Sequence, residues 1–278
     1  SVNHINKYWV ACEDKSAPTL EKIHNKYYLR FSFTETVILS DTPIAEQIIC
    51  AVDLGINTDA VCSIMKADGT ILARKFIDFT SDKDRMIHAM NRTRRKQSKY
   101  GPKSTRGLWA YVKRLNEDRA KKISAAIVEF ASQHSVDAIV MEHLDFKGCK
   151  KRGSKAQRLS MWNHGIIREK VEQKAHLLGI RIATICAWKT SALAFDGSGS
   201  VTRDDNNHAL ATFTTGKQYN CDLSASYNIG ARYFIRELLK SLPATEESRV
   251  KAKVPDAGRR TSCTLSTLRA LVKELSAA

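Results

Sequence analysis

Three carboxylates stand where a carboxylate is expensive. Asp53 closes the run Ile48-Ile49-Cys50-Ala51-Val52, and Glu142 closes Ala138-Ile139-Val140-Met141. Asp222 falls where a turn-rich stretch gives way to an amphipathic helix. Short apolar runs of this kind are those of strands covered on both faces. Three acids gathered at the ends of such elements would be desolvated and would repel one another, holding their protons unless cations neutralise them. The chemistry that uses such a cluster is divalent-metal binding through oxygen, and a paired-metal carboxylate site acts on phosphate esters. A nuclease is therefore the leading expectation. Singly, each residue has a plainer role open to it: an Asp at a helix start can act as N-cap, worth about 1 kcal/mol, and a Glu can end a strand at the surface. His143 follows Glu142 directly, so strand alternation turns it to the opposite face, where packing is expected of it rather than base catalysis. His134, His164 and His208 show no ligand spacing, and Asp145, Asp196 and Asp204 read as turn or surface acids.

The elements that must position the acids follow from the pattern. After Ile48–Asp53, a turn through Gly55 leads to a strand over Ala60–Met65, an Asp68-Gly69 turn, and a strand over Ile71–Phe79. Residues 81–134 read as helix, interrupted at Tyr100-Gly101-Pro102. The strand ending at Glu142 follows, then a basic loop from Lys147 to Arg158, a helix at about 160–178 stopped by Gly179, and a strand over Ile180–Ala187. Residues 190–220 are rich in Gly, Ser, Asp and Asn, and a helix spans 222–240. Three strands, helix, strand, helix, strand, helix is the element order of an α/β ribonuclease-H-like fold with a mixed sheet and flanking helices. Domain boundaries are expected at 1–47 (the end of a small β module, with strands over Lys26–Phe33 and Val37–Leu39 and a linker at Thr42-Pro43), 48–242 (the α/β domain) and 243–278 (a loosely held tail until an amphipathic run at Leu265–Leu275). A chain that opens on Ser1 partway into a β module is expected to lack an N-terminal part.

Composition names the partner class. The 278 residues carry 45 Lys+Arg against 29 Asp+Glu, a formal charge of +16, which suits nucleic acid. No apolar run approaches the roughly 20 residues that span a bilayer, so no membrane partner is expected, and no signal-peptide pattern opens the chain. Seven scattered cysteines argue against a disulfide framework and for a reducing cytoplasm; within it, the chain is expected to be nucleoid-associated. The oligomeric state is left open. Basic residues concentrate between the first two acids, over 81–122, where Arg92, Arg94, Arg95, Lys96, Lys99, Lys113, Arg114 and Arg119 stand against few acids. Self-repulsion in so basic a helix is relieved by phosphates, so this stretch is the expected nucleic-acid contact, with Lys150, Lys151 and Arg152 of the basic loop as a second. Trp109, Tyr111, Trp162 and Trp188 could stack bases, although inward packing is the ordinary role of such aromatics.

At the three acids the chain resembles the RuvC-like half of the transposon-encoded TnpB (OrfB) family, relatives of the type V CRISPR effector nucleases. Asp53-Leu54-Gly55-Ile56-Asn57 resembles the first RuvC motif, Val140-Met141-Glu142-His143-Leu144 the second, and Asp222-Leu223-Ser224-Ala225-Ser226-Tyr227-Asn228-Ile229 the third. The resemblance covers about residues 24–240. It implies an RNA-guided DNA endonuclease of an insertion-sequence element in which Asp53, Glu142 and Asp222 hold two Mg2+ ions, Asp53 bridging them, with DNA and a guide RNA as partners. Ser224 stands where the family usually has Asn. The family usually carries a zinc ribbon of two Cys-x-x-Cys pairs between the second and third motifs; here only Cys186 and Cys221 flank 187–220, so no structural zinc is expected. The alternative is a nucleic-acid-binding, cleavage-incompetent truncated or domesticated derivative.

Overall fold

The computed structural model describes residues 3, 5–10, 12, 14–144, 162–205, 207–259 and 261–277. It divides into two compact units, 1–38 and 39–278. In the first, β1 (Asp14–Lys15) pairs with β4 (Phe33–Thr34), and β2 (Thr19–Ile23) forms an antiparallel hairpin with β3 (Lys26–Arg30). The expected strand at Val37–Leu39 is absent.

The second unit is built on a five-stranded mixed sheet of β5 (Ile48–Asp53), β6 (Ala60–Lys66), β7 (Ile71–Ile77), β8 (Ala138–His143) and β9 (Arg181–Cys186). Their order is β7-β6-β5-β8-β9. The first three are antiparallel neighbours, whereas β8 runs parallel to both β5 and β9. With helices on both faces, this is the ribonuclease-H-like fold. The parallel half of the sheet explains the unbroken apolar runs, since a strand covered by helices on both faces has no wet side.

One face of the sheet is covered by α2 (Arg106–Gln133) and α3 (His164–His176), which pack Ile123, Ile127, Ile167 and Val171 against Cys50, Val52, Ile139 and Met141, while α1 (Thr80–Tyr100) packs against α2. On the other lie α4 (Cys221–Ser241) and, after the short α5 (Ala244–Lys253), α6 (Leu265–Ser276). Gly230 lets α4 lie close on the sheet: a Cβ there would come within 2.9 Å of the Met65 methyl and 3.2 Å of the Ala51 Cβ.

Two stretches expected to be loose are bound in. Residues 39–48 are tied to the α/β unit: the Asp137 carboxylate accepts hydrogen bonds from Ser40 Oγ (2.6 Å), Thr42 Oγ1 and the Ile48 amide (2.8 Å), and Ser40 N donates to Gly179 O (2.8 Å). The contact boundary therefore falls after Ile38, and Thr42-Pro43 is not a linker. Beyond Pro243, Val250, Ala257 and Cys263 of the stretch expected to be loose are buried; in the amphipathic run after it, Leu265, Leu268 and Leu271 are fully buried against α4, and Thr264 caps α6 with Thr267 in a reciprocal capping box. Helix α6 thus completes the core that the apolar face of α4 begins.

No helix among the described residues is long and apolar enough to cross a membrane. Among the described residues, Cys50, Cys62, Cys186, Cys221 and Cys263 are free thiols.

Candidate functional site

Alternation along the strands decides where the acids point. In β5, Ile49 and Ala51 face α4 while Cys50 and Val52 face α2 and α3; in β8, Ala138 and Val140 face α4 while Ile139 and Met141 face the opposite way. Asp53 and Glu142 continue the α4-facing series. The parallel register pairs Val52 with Met141, so the two acids lie side by side at the C-terminal edge of adjacent strands. Asp222 enters the same edge in the first turn of α4. It does not cap that helix: Asn220 does, its Oδ1 accepting the Leu223 amide at 2.8 Å. The capping role open to Asp222 in the sequence is already filled.

The electrostatics are those of an under-neutralised anionic cluster. Burial, then the charges of Glu142 and Asp222, push the Asp53 carboxyl well above the ordinary carboxylate range, against a lowering by Arg203. Burial also raises Glu142, opposed by a hydrogen bond from Thr190 and by the charge of Arg232. For Asp222 burial again raises the carboxyl, opposed by Arg203 and the Thr58 hydroxyl. Among the described residues no three His, Cys, Asp or Glu side chains are drawn tightly enough to enclose one ion. The donor set nevertheless fits a hard divalent cation: it is all carboxylate oxygen, it is clustered, and its protons are held by burial and, at Asp53, by the charges of the other two acids, which a cation would offset.

Supporting residues hold this edge, and the sequence alone did not mark most of them. Gly55 makes the turn after β5 possible, since a Cβ there would lie 2.5 Å from the Thr58 carbonyl oxygen. Thr190 donates to Glu142 Oε1. The Thr190 carbonyl in turn accepts Asn228 Nδ2 (3.0 Å), which also reaches Leu193 O (2.9 Å), while Asn228 Oδ1 accepts the Leu265 amide (3.3 Å). Asn228 of the third motif therefore works at second hand, fastening the loop that orients Glu142. Arg203 lies in β10 (Thr202–Arg203), which with β11 (Leu210–Thr212) and β12 (Gln218–Asn220) forms a small antiparallel sheet in the Gly- and Asp-rich stretch. An aromatic cluster of Phe195, Phe213, Tyr219 and Tyr227 packs this segment, with Lys217 Nζ 4.8 Å from the Phe195 ring. Asp196 accepts the Ser198 amide (3.0 Å) and Asp204 the Asn207 amide (2.7 Å), the turn roles expected of them. Ser224 Oγ, at the position where the motif departs, is buried without a hydrogen-bond partner.

The basic residues divide. Arg92, Arg95, Lys96, Lys99, Lys113 and Arg114 are exposed on α1 and α2, and Arg94 is half-buried. Arg119 is a correction: it is buried, its guanidinium spent on the fully buried carboxylate of Asp59, which also accepts the Phe79 amide (2.9 Å) and lies 3.7 Å from Lys83 Nζ. Lys83 further donates to Asn57 O. Together these contacts pin the turn after Asp53 to α1 and α2. Lys150, Lys151, Arg152 and Asp145 lie outside the described residues. Trp109 and Tyr111 pack between α1 and α2, with Trp109 Nε1 donating to Gln97 (2.7 Å). Trp188, by contrast, is 63% exposed.

No family model and no curated protein matches the chain. Solved structures do. A Cas12f1–sgRNA–target DNA complex aligns with TM-score 0.50 and 17% identity over 76% of this chain and 54% of that one. An AacC2c1–sgRNA binary complex aligns with TM-score 0.50 and 10% identity over 68% of this chain and 39% of that one. A Thermus thermophilus RuvC structure aligns over 82% of this chain and 96% of that one, at 12% identity and a TM-score of only 0.31. At these identities the two alignments with TM-score 0.50 show a likeness of fold alone, in keeping with the ribonuclease-H-like topology. The chain spans about half of the Cas12f1 chain.

Proposed function

We propose that the chain is the nuclease unit of a metal-dependent, RNA-guided DNA endonuclease of the TnpB type, encoded by an insertion-sequence element. The observation that carries this reading is the convergence of Asp53, Glu142 and Asp222 on one sheet edge, where burial raises all three carboxyls and the other two acids raise Asp53 further. Mg2+ ions bound there would activate a water for attack on the phosphodiester and stabilise the leaving 3′ oxygen. Asp53, Glu142 and Asp222 would together hold the ions through carboxylate oxygen. Thr190 fixes the Glu142 carboxylate for that purpose, and the Arg203 guanidinium faces Asp53 and Asp222, where an incoming phosphate would carry its charge. The exposed basic faces of α1 and α2 are the proposed backbone contact. The guide RNA and target DNA named for the Cas12f1 structure support nucleic-acid partners here.

The test is cleavage of target DNA in Mg2+ by the protein with its guide. Glu142→Ala and Asp222→Ala should each abolish cutting while leaving DNA binding in place, and chelation should do the same. Cutting by Glu142→Ala at the parent rate would sink the assignment. Binding without cutting by the parent would instead establish the cleavage-incompetent alternative.

A further inference from the structure

We infer that the open groove at the C-terminal ends of β8 and β9 is a stacking site for an unpaired nucleobase, with Trp188 as its platform. The inference rests on the proposed nuclease reading and names how a single strand would be seated next to the acids.

The groove, about 570 Å³, is lined by His143, Leu144, Thr184, Cys186, Trp188 and Lys189. His143 is the residue after Glu142, and Trp188 lies two residues before Thr190, whose hydroxyl binds Glu142. The Trp188 segment thus runs directly into the residue that holds Glu142, whereas His143, by strand alternation, faces away from the acids. Trp188 is 63% exposed. An indole can bury roughly 150–250 Å², so leaving it in water forgoes stabilisation that the fold could have taken.

The exposed ring stands on a rigid base. Arg232, 5% exposed, spends its guanidinium on four carbonyls: Cys186 O (2.8 Å), Trp188 O (2.8 Å), Thr261 O (3.0 Å) and Cys263 O (3.2 Å). Two of these are in the segment that carries the indole. Lys189 adopts a φ of 60°, the left-handed region that non-glycine residues rarely enter, so the surrounding bonds over-determine this turn. A clamped backbone presenting an exposed aromatic is pre-organised for binding, because little ordering cost remains. Lys189 adds positive charge at the rim, on a chain of net charge +16. An aromatic face with an adjacent cation, joined to a phosphodiester-directed site, matches a base of single-stranded nucleic acid. A duplex does not fit this chemistry, because its bases are stacked on each other.

The experiment titrates a single-stranded thymidine oligonucleotide into the full chain carrying Asp53→Asn, so that binding is read without cleavage, and follows tryptophan fluorescence and affinity. Quenching is expected, and Trp188→Phe should remove most of it while keeping near-parent affinity, because a stacking ring remains. Trp188→Ala should weaken binding roughly 5- to 150-fold with an unchanged melting temperature, as befits an exposed side chain. An oligonucleotide with one abasic site at the stacked position should bind Trp188→Ala and the Trp188 protein alike. Parent-like affinity of Trp188→Ala, absence of quenching, or equal binding of a duplex of the same length would overturn the inference. These outcomes are separable from the nuclease reading, which stands or falls on cleavage by Glu142→Ala.

Discussion

Two acids six residues apart in the same turn meet opposite fates. Asp59 is fully buried, yet its charge is met by Arg119, Lys83 and the Phe79 amide. Asp53, half-buried, looks across at Glu142 and Asp222, with only Arg203 lowering its carboxyl. Desolvation penalises both. At Asp59 the protein supplies the compensating cation itself, so the pair is part of the fold. At Asp53 it gathers more negative charge instead, a cost that makes sense only if the compensation comes from outside. The contrast separates an acid that shapes the turn from an acid that the turn exists to present.

The contrast predicts that Asp53→Asn lowers cleavage by at least about 10³-fold, the several kcal/mol of transition-state charge stabilisation that a metal site supplies. The same change should raise the melting temperature of the metal-free protein at neutral pH, because a buried repulsion is relieved. The triad carboxyls are raised in the folded state, so their contribution to stability is present below the unfolded carboxylate range and is lost as pH rises through the raised values. Added Mg2+ should stabilise the parent and leave Asp53→Asn nearly unmoved; a scan in which both respond equally would break the contrast.

Arg119→Ala should do the reverse, since it strands the buried Asp59 charge. A loss of about 3–5 kcal/mol in urea unfolding is expected, with much of it restored by adding Asp59→Asn. If Arg119→Ala instead leaves stability intact and weakens only DNA binding, Arg119 belongs with the phosphate contacts after all.

Smaller still is Thr190→Val. Removing the hydroxyl from Glu142 should cost roughly 10- to 100-fold in activity or metal affinity, the usual effect of losing a partner of a metal-ligating side chain. Thermal melting would show whether stability changes by more than about 1 kcal/mol, which would mark Thr190 as structural. The mildest test concerns Asp137. Burial pushes its carboxyl up, but bonds from Ser40, Thr42 and the Ile48 amide outweigh that and hold it low. Its contribution is present at neutral pH and is lost as pH falls through that lowered value, so Asp137→Asn should speed proteolysis within residues 39–48 at neutral pH and matter less in acid.

Much of the α/β unit was legible because its signals are local. Buried strands need unbroken apolar runs, Gly55 must turn without a Cβ, and α4 carries its apolar stripe openly, so both the element order and the three acids could be read along the chain. The amphipathic run at Leu265–Leu275 declared only that some face is apolar, not that α4 waits to cover it, and the polar stretch before it gave no sign that Val250, Ala257 and Cys263 are buried. Arg119 looked like one more phosphate contact because a basic run says nothing about which of its members meets a buried carboxylate. Trp188 looked like one more packed aromatic for the same reason.

By itself, then, the sequence determined the kind of chemistry available: which side chains can ionise, how strand and helix periods orient them, and that the whole is strongly cationic. Tertiary structure decided which ionisable groups are answered from within. Charge compensation and burial act through space over a few ångströms, between residues as far apart in the chain as Asp59 and Arg119 or Glu142 and Thr190. No local pattern encodes such distances.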